Sequence, residues 1–172
     1  MEHTGQQGIG SRKSLMPVYI LSILVVAALI VMIVALCKPR ESVPGVFMPP
    51  PFENAAVVGI PDVPDGLGYS SPYREGMAYR FSICGNVKME GRTAILYFTN
   101  DAGNDVYIKL RVLDSEGNML GETGLIKPGE YVHGVELNQA LAVGSAVTLK
   151  IMGYEPETYM SAGSVVLNTE IG

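Results

Sequence analysis

The chain has 172 residues, 48% of them apolar and 17% charged, with a formal net charge of −5. From Glu75 onward twelve acidic residues stand against seven basic ones without a basic cluster, so the composition argues against nucleic-acid binding. The two cysteines, Cys37 and Cys84, fall in different regions, so we expect free thiols, with pairing between chains left open.

Residues 17–37 form an uncharged run, PVYILSILVVAALIVMIVALC. A helix of this length is about 31 Å long, which matches the hydrocarbon core of a bilayer. The run therefore predicts a transmembrane helix, a cytoplasmic leader over residues 1–16 and the lipid bilayer as a partner. Two basic residues flank each side, so charge does not decide the orientation. The folded region lies after the run, and we therefore expect it to be extracellular.

The end of this run also allows two kinds of processing, lipidation and signal-peptide cleavage. Val34-Ala35-Leu36-Cys37 resembles the lipobox of bacterial lipoproteins, with Cys37 as the acylated residue, although Leu36 stands where that motif has Gly, Ala or Ser. The same residues could be a weak signal-peptidase site, but a signal peptide has an apolar core of only about 7–15 residues. A signal anchor is favoured over a lipid anchor and over a secreted product.

Residues 38–75 are rich in proline and glycine, holding eight of the eleven prolines. Proline fixes φ and lacks an amide donor, so neither a helix nor a central strand is expected. The composition predicts a semi-rigid tether that spans on the order of 100 Å if wholly extended. Within it, residues 55–60 are apolar enough to form an edge strand. The three consecutive prolines at 49–51 are interpreted as a spacer rather than as a docking motif for a proline-binding domain.

From Met77 onward the apolar residues alternate with period two. Ala94, Leu96 and Phe98 share one predicted inner face, and Cys84 falls on a predicted wet face. Strands are predicted at 77–84, 93–99, 105–113, 119–123, 131–137, 145–154 and 163–171, joined by turns that include 114–118 and 127–130. The fold class is therefore an all-β, immunoglobulin-like antiparallel sandwich of about seven strands over residues 76–172, with a small barrel as the alternative.

The segment TGLIKPGEYVHGVELNQALAVGSAVTLKIMGYEPET, residues 123–158, contains an apolar pair, a PG turn, a short strand, a leucine-containing loop and a glycine before a strand ending in Tyr. This pattern resembles small membrane-anchored surface proteins of Gram-positive bacteria. The resemblance covers about residues 77–171 and implies an extracellular immunoglobulin-like fold. It implies no activity, and no catalytic or binding residue is carried over from it.

Few residues suit catalysis or metal binding. His133 is the only histidine outside the leader, and it lies within a predicted strand, where a solvated residue is favoured over a catalytic base. One histidine and one cysteine are too few ligands for zinc. Asp101, Asp105 and Asp114 lie in acidic loops and are calcium candidates, but such loops are also typical of turns, which is the favoured interpretation. We predict no cofactor, no resident metal and no enzymatic activity.

The function expected from the sequence is a membrane-anchored extracellular binding or adhesion module. Tyr107, Tyr154 and Tyr159, with the neighbouring Met160, are the predicted contact surface, because aromatic side chains give large contact areas at low entropic cost. The expected partner is another surface protein or a cell-wall glycan. The alternatives are a structural subunit of an envelope machine for conjugation or secretion, and a cell-wall carbohydrate-binding module.

Overall fold

The structure is a computed structural model that describes residues 16–37 and 47–172. The chain divides into two compact units, Met1–Phe47 and Met48–Gly172. In the first unit, helix α1 spans Met16–Cys37 and has 22 residues. Its side chains are described for residues 19–33, all of them exposed. Among the described residues, no helix was found that is long and apolar enough to cross a membrane.

The predicted span at 17–37 therefore stays a prediction. The leader up to residue 15 and the side chain of Cys37 lie outside what the structure describes.

The second unit is an all-β sandwich of two antiparallel sheets, as predicted. Its described residues form ten strands: β1 Val57–Val58, β2 Tyr69–Ser70, β3 Phe81–Cys84, β4 Lys88–Glu90, β5 Thr93–Asn100, β6 Tyr107–Leu113, β7 Met119–Glu122, β8 Glu130–Glu136, β9 Ala146–Tyr154 and β10 Ser161–Glu170. Sheet I has the order β1-β8-β5-β3-β2, with β4 also paired to β5. Sheet II has the order β10-β9-β6-β7.

All seven predicted strands are present, with ends shifted by up to four residues. Strands β2 and β4 were not predicted, because two or three residues are too few to show a period. Strand β1 falls within the edge strand expected at 55–60. The first predicted strand begins at Phe81 rather than Met77. Tyr79 turns into the core, where its hydroxyl lies 3.2 Å from the carbonyl oxygens of Ile151 and Gly163. Burial raises the pKa of this hydroxyl to about 12.

The main core lies between the two sheets and follows the predicted alternation. The three inner residues of β5, Ala94, Leu96 and Phe98, are fully buried. From β6 the inner residues are buried as well: Val106, Ile108, Leu110 and Val112. The predicted turns also form, since Gly117 and Gly129 adopt φ values of 87° and 79°.

A buried asparagine joins the sheets at one end of this core. Asn100 is completely buried, and its side-chain amide donates to the carbonyl oxygens of Val106 and Ile126, both at 2.9 Å. Its Oδ1 accepts a hydrogen bond from Asn104 at 2.6 Å. These bonds satisfy backbone acceptors that would otherwise be buried without partners. The sequence had indicated only a turn here.

The proline-rich segment differs from the predicted tether. Residues 48–70, called the strap below, belong to the same compact unit as the sandwich. Strand β1 pairs with β8, which confirms the expected edge strand, and β2 pairs with β3. Proline lacks a donor but keeps its acceptor, so the Leu125 amide donates to the carbonyl oxygen of Pro51 at 2.9 Å. The strap can therefore pair with the sheets between its prolines.

The strap also buries part of the outer face of sheet I. Leu67 packs there against Cys84, Ile95 and Tyr97, which are each at most 9% exposed. The prediction that Cys84 lies on a wet face is therefore wrong, because a local alternation pattern cannot show what packs on the second face. Cys84 is a free thiol, as predicted, and burial raises its pKa to about 11.

Candidate functional site

The outer face of sheet II has a different composition from that of sheet I. Side chains alternate along a strand, so every second residue of β6 and β9 faces outward. The antiparallel register places three outward pairs directly opposite each other: Tyr107 with Tyr154, Lys109 with Met152, and Arg111 with Lys150. This face therefore presents aromatic side chains at one end and cationic side chains beside them.

Three aromatic rings meet at that end, those of Phe52, Tyr107 and Tyr159, and Tyr154 lies opposite Tyr107 on the neighbouring strand. We call these four residues the aromatic row. The rings of Phe52 and Tyr107 lie 5.1 Å apart, edge to face at 80°. The rings of Tyr107 and Tyr159 lie 6.3 Å apart and are tilted by 44°. The three tyrosines are partly exposed and Phe52 is 38% exposed. The structure thus brings the three predicted contact tyrosines together.

Phe52 is the member that sequence reasoning missed, because it lies in the predicted tether. A parallel bridge joins it to Leu125, and the Glu53 carboxylate accepts a hydrogen bond from the Gly124 amide at 2.7 Å. Gly124 is needed here, because a Cβ at this position would lie 2.5 Å from the backbone nitrogen of Glu53. A lone aromatic residue directly after three prolines was the only available signal.

Tyr159 is held in the row by an unusual backbone conformation. Its φ is 55°, in the left-handed region that residues other than glycine rarely adopt. The loop between β9 and β10 holds this conformation through two backbone hydrogen bonds of 2.9 Å, from Tyr159 to Glu155 and from Glu155 to Met160. Such strain is stored where the surrounding structure fixes one position for a side chain. The loop therefore presents the Tyr159 ring in a defined place.

Cations lie beside the row. Lys127 places its Nζ 4.8 Å from the ring centre of Phe52, a cation–π contact. Lys109, which is nearly buried, and Arg111 each donate to the Glu122 carboxylate at 2.7 Å. Burial alone would raise the pKa of Glu122, but these two hydrogen bonds and charges lower it below its ordinary value. One carboxylate thus faces several cations on this surface.

The calcium candidates occupy turns. Asp101 accepts a hydrogen bond from the Gly103 amide at 2.8 Å, and Asp114 accepts backbone bonds from Glu116 and Asn118. Hydrogen bonds from the side chain and backbone of Asn118 lower the pKa of Asp114. Within the described ranges, no group of three or more His, Cys, Asp or Glu side chains is arranged to hold a metal ion.

Asp105 lines a cleft of about 430 Å³ together with Asp101, and it also lines a second cleft. The second cleft is open and acidic, has a volume of about 530 Å³ and is lined by Glu155 and Glu157 as well. One wall of the cleft is the loop that carries Tyr159.

His133 lies on the outer face of sheet I, away from the aromatic row. It is exposed, and its Nε2 lies 3.0 Å from the hydroxyl of Tyr97. The two rings pack edge to face, 4.6 Å apart. Tyr97 also has a positive φ, 47°, at an irregularity in the pairing of β5 with β8. This arrangement fixes the Tyr97 ring under the strap and contains no activated nucleophile.

Among the described residues, the aromatic row with its neighbouring cations is therefore a surface suited to contact. Compared with protein-family models, with curated proteins and with solved structures, the chain gives no match.

Proposed function

We propose that the protein is a single-pass membrane protein that presents its β-sandwich outside the cell as a binding or adhesion module without catalytic activity. The proposal includes a cytoplasmic N-terminus, an immunoglobulin-like type of sandwich and a Gram-positive cell surface. The uncharged run at 17–37, within a helix of 22 residues, supports the anchor. The partner is another surface protein or a cell-wall glycan.

The observation that carries the binding role is the convergence of Phe52, Tyr107, Tyr154 and Tyr159. Tyrosine supplies large contact area with few rotatable bonds, which is why it is frequent in binding surfaces. The strained backbone of Tyr159 fixes its ring before a partner arrives, so less conformational entropy is lost on binding. Lys127 adds positive charge next to these rings.

A cell-wall carbohydrate-binding module is the second candidate, because several rings lie in one row. The apolar C–H face of a sugar ring stacks on an exposed aromatic ring, and neighbouring rings can hold successive sugars. The structural subunit of an envelope machine stays an alternative from the sequence alone.

The binding proposal is tested with the full chain in lipid nanodiscs and isolated Gram-positive cell walls. We expect Tyr107→Ala to weaken binding by about tenfold or more, as for a contact residue at the centre of an interface. Tyr73→Ala is the matched control, because Tyr73 is a partly exposed tyrosine that stacks with Arg80 outside the row. Unchanged binding by a correctly folded Tyr107→Ala protein would refute the role of the row.

The type of partner follows from treating the cell walls with protease before binding. Binding that survives the treatment indicates a glycan, and binding that is lost indicates a surface protein.

Location is tested by protease added to intact cells. We expect cleavage of the C-terminal unit while an N-terminal tag stays protected and attached, whereas a protected sandwich would refute the orientation. Cys37→Ser distinguishes a transmembrane anchor from a lipid anchor, because only a lipoprotein would lose its membrane attachment through this change.

A further inference from the structure

The edges of the two sheets are protected unequally. The outermost strands of sheet I, β1 and β2, have only two residues each. On the β7 side of sheet II, Phe52 of the strap bridges to Leu125. In contrast, β10 has ten residues and lies at the end of sheet II, paired to β9 alone. Other segments come close at the two ends of β10. Val87 bridges to Ile171, the Thr169 hydroxyl donates to the Gly85 carbonyl oxygen at 2.7 Å, and the Tyr79 hydroxyl lies 3.2 Å from the Gly163 carbonyl oxygen. Among the described residues, the stretch between these ends, residues 164–168, pairs only with β9.

The open part of this edge can be located from the hydrogen bonds. The Ile171 amide donates to the carbonyl oxygen of Ser145, the residue before β9, at 3.0 Å. In an antiparallel ladder the residues that bond to the neighbouring strand alternate with residues whose backbone N–H and C=O groups point away from it. The register is continuous from Ser164 to Glu170. The backbone N–H and C=O groups of Ser164, Val166 and Asn168 therefore point to the open edge. Exposed edges of this kind accept a further strand.

The edge lacks the usual protection against such pairing. Edge strands are commonly protected by lysine, proline or an inward-pointing charge. Residues 161–169 contain no charged residue and no proline, and Val166 is 54% exposed. A pairing irregularity lies only at the start of the strand, between Ser161 and Ser164. The stretch from Ser164 onward is regular and free for pairing.

We propose that β10 pairs antiparallel with β10 of a second copy of this chain, about a two-fold axis at Val166. This register is self-complementary on both faces. On the outer face Val166 meets Val166 of the second copy, and Ser164 meets Asn168. On the inner face Val165 meets Leu167, and both of these residues are only partly buried in one copy. The charged Glu170 lies beyond the paired stretch of residues 164–168, so no like charges oppose each other.

Neighbouring registers fit less well. An axis one residue further along, at Leu167, would set Val165 against Thr169 and Val166 against Asn168. Apolar side chains would then face polar ones, which costs cross-strand contact energy. In the proposed register, Leu167 of the second copy also faces a cleft of about 270 Å³ that Met77, Tyr79 and Val165 line. This pairing joins sheet II of one copy to sheet II of the other and forms one continuous sheet. Such a two-fold symmetric contact is the commonest kind in homodimers.

The test uses the full chain in lipid vesicles, in a Cys37→Ser background, with Cys84 left buried. Val166→Cys places two thiols opposite each other, with Cα atoms about 5.5 Å apart, within reach of a disulfide or a short bis-maleimide. Val143→Cys is the matched control, because Val143 is 80% exposed but lies in the turn before β9 rather than on the β10 edge. We expect the cross-linked fraction of Val166→Cys to exceed that of the control severalfold.

The register is tested by mixing two differently tagged variants. Ser164→Cys and Asn168→Cys should cross-link with each other, whereas Ser164→Cys alone should not, since its two copies lie about 14 Å apart. Val166→Lys places like charges at the axis and should leave a folded monomer.

Equal cross-linking of Val166→Cys and the control would overturn the proposal, as would cross-linking of Ser164→Cys with itself but not with Asn168→Cys. Both readouts are independent of any ligand and so separate this proposal from the binding role of the aromatic row.

Discussion

The outer faces of the two sheets have opposite roles in this sandwich. On sheet I, Leu67 and its strap neighbours cover Cys84, Ile95 and Tyr97, whereas on sheet II the aromatic row stays partly exposed. Each face contains one of the two described tyrosines with positive φ, Tyr97 at 47° and Tyr159 at 55°. The same kind of strain fixes a ring for internal packing on one face and for presentation on the other. The strap thus decides which face can meet a partner.

Truncation is expected to have the largest effect, because it uncovers the protected face. A fragment of residues 68–172 loses Leu67 and β1 and exposes the second core, so its free energy of unfolding should be at least about 3 kcal/mol below that of residues 48–172. Urea denaturation of both fragments measures this. A fragment of residues 56–172, which keeps the cover of sheet I, is the control and should lose less. Equal stability of all three would show that the strap is only a tether.

Single substitutions test the same contrast at smaller scale. Leu67→Ala should cost about 2–4 kcal/mol, because Leu67 is 5% exposed and the substitution leaves a cavity. Phe52→Ala should cost less than about 1 kcal/mol, because Phe52 is 38% exposed on the open face, and it should instead weaken cell-wall binding. Chemical denaturation with a parallel binding assay measures both. The reverse order of stabilities would contradict the assignment of covered and open faces.

Alkaline pH should lower the free energy of unfolding through Cys84 on the covered face. The pKa of Cys84 is raised by burial from 9.0 to about 11, so the folded protein holds this proton more tightly than the unfolded chain does. The resulting stability is fully present below pH 9 and is lost as pH rises through about 11, by roughly 2–3 kcal/mol. Cys84→Ala should remove this loss of stability at alkaline pH and leave the loss that comes from the raised pKa of Tyr79. The free energy of unfolding, measured by urea denaturation at several pH values, checks this. A profile unchanged by the substitution would indicate that Cys84 is accessible to water.

Acidic pH should have the smallest effect, and it acts on the open face. The lowered pKa of Glu122 contributes stability above its ordinary value of 4.5, which is lost as pH falls through the folded value. Partial exposure and salt screening limit this contribution to about 1 kcal/mol. Glu122→Gln should reduce the acid dependence measured by thermal unfolding. An acid dependence that is unchanged by Glu122→Gln would contradict this role of Glu122.

Much of the sandwich could be predicted because it follows local rules. The alternation in β5 and β6 identified buried residues such as Leu96 and Ile108, and the glycines at 117 and 129 identified two turns. These signals require only neighbouring residues. Cys84 was assigned to the wrong environment because its cover comes from Leu67, which the proline rule had placed in a free tether.

The candidate site could be predicted only in part. Its three tyrosines were identified by residue type, but their convergence depends on the register of β6 with β9 and on the left-handed backbone at Tyr159. Phe52 joins them through a bridge to Leu125, more than seventy residues away in the sequence. No pattern within the strap indicates that pairing.

The sequence by itself determined the strand periods, the turns and the uncharged run at 17–37, because each depends on the order of nearby side chains. Only the tertiary structure decided that the strap covers part of sheet I and that Gly124 admits the backbone of Glu53. It also decided that the rings of Phe52, Tyr107 and Tyr159 meet beside Tyr154 on sheet II. These features depend on contacts between distant segments. Their energy comes from area buried and backbone hydrogen bonds formed after the strands have paired.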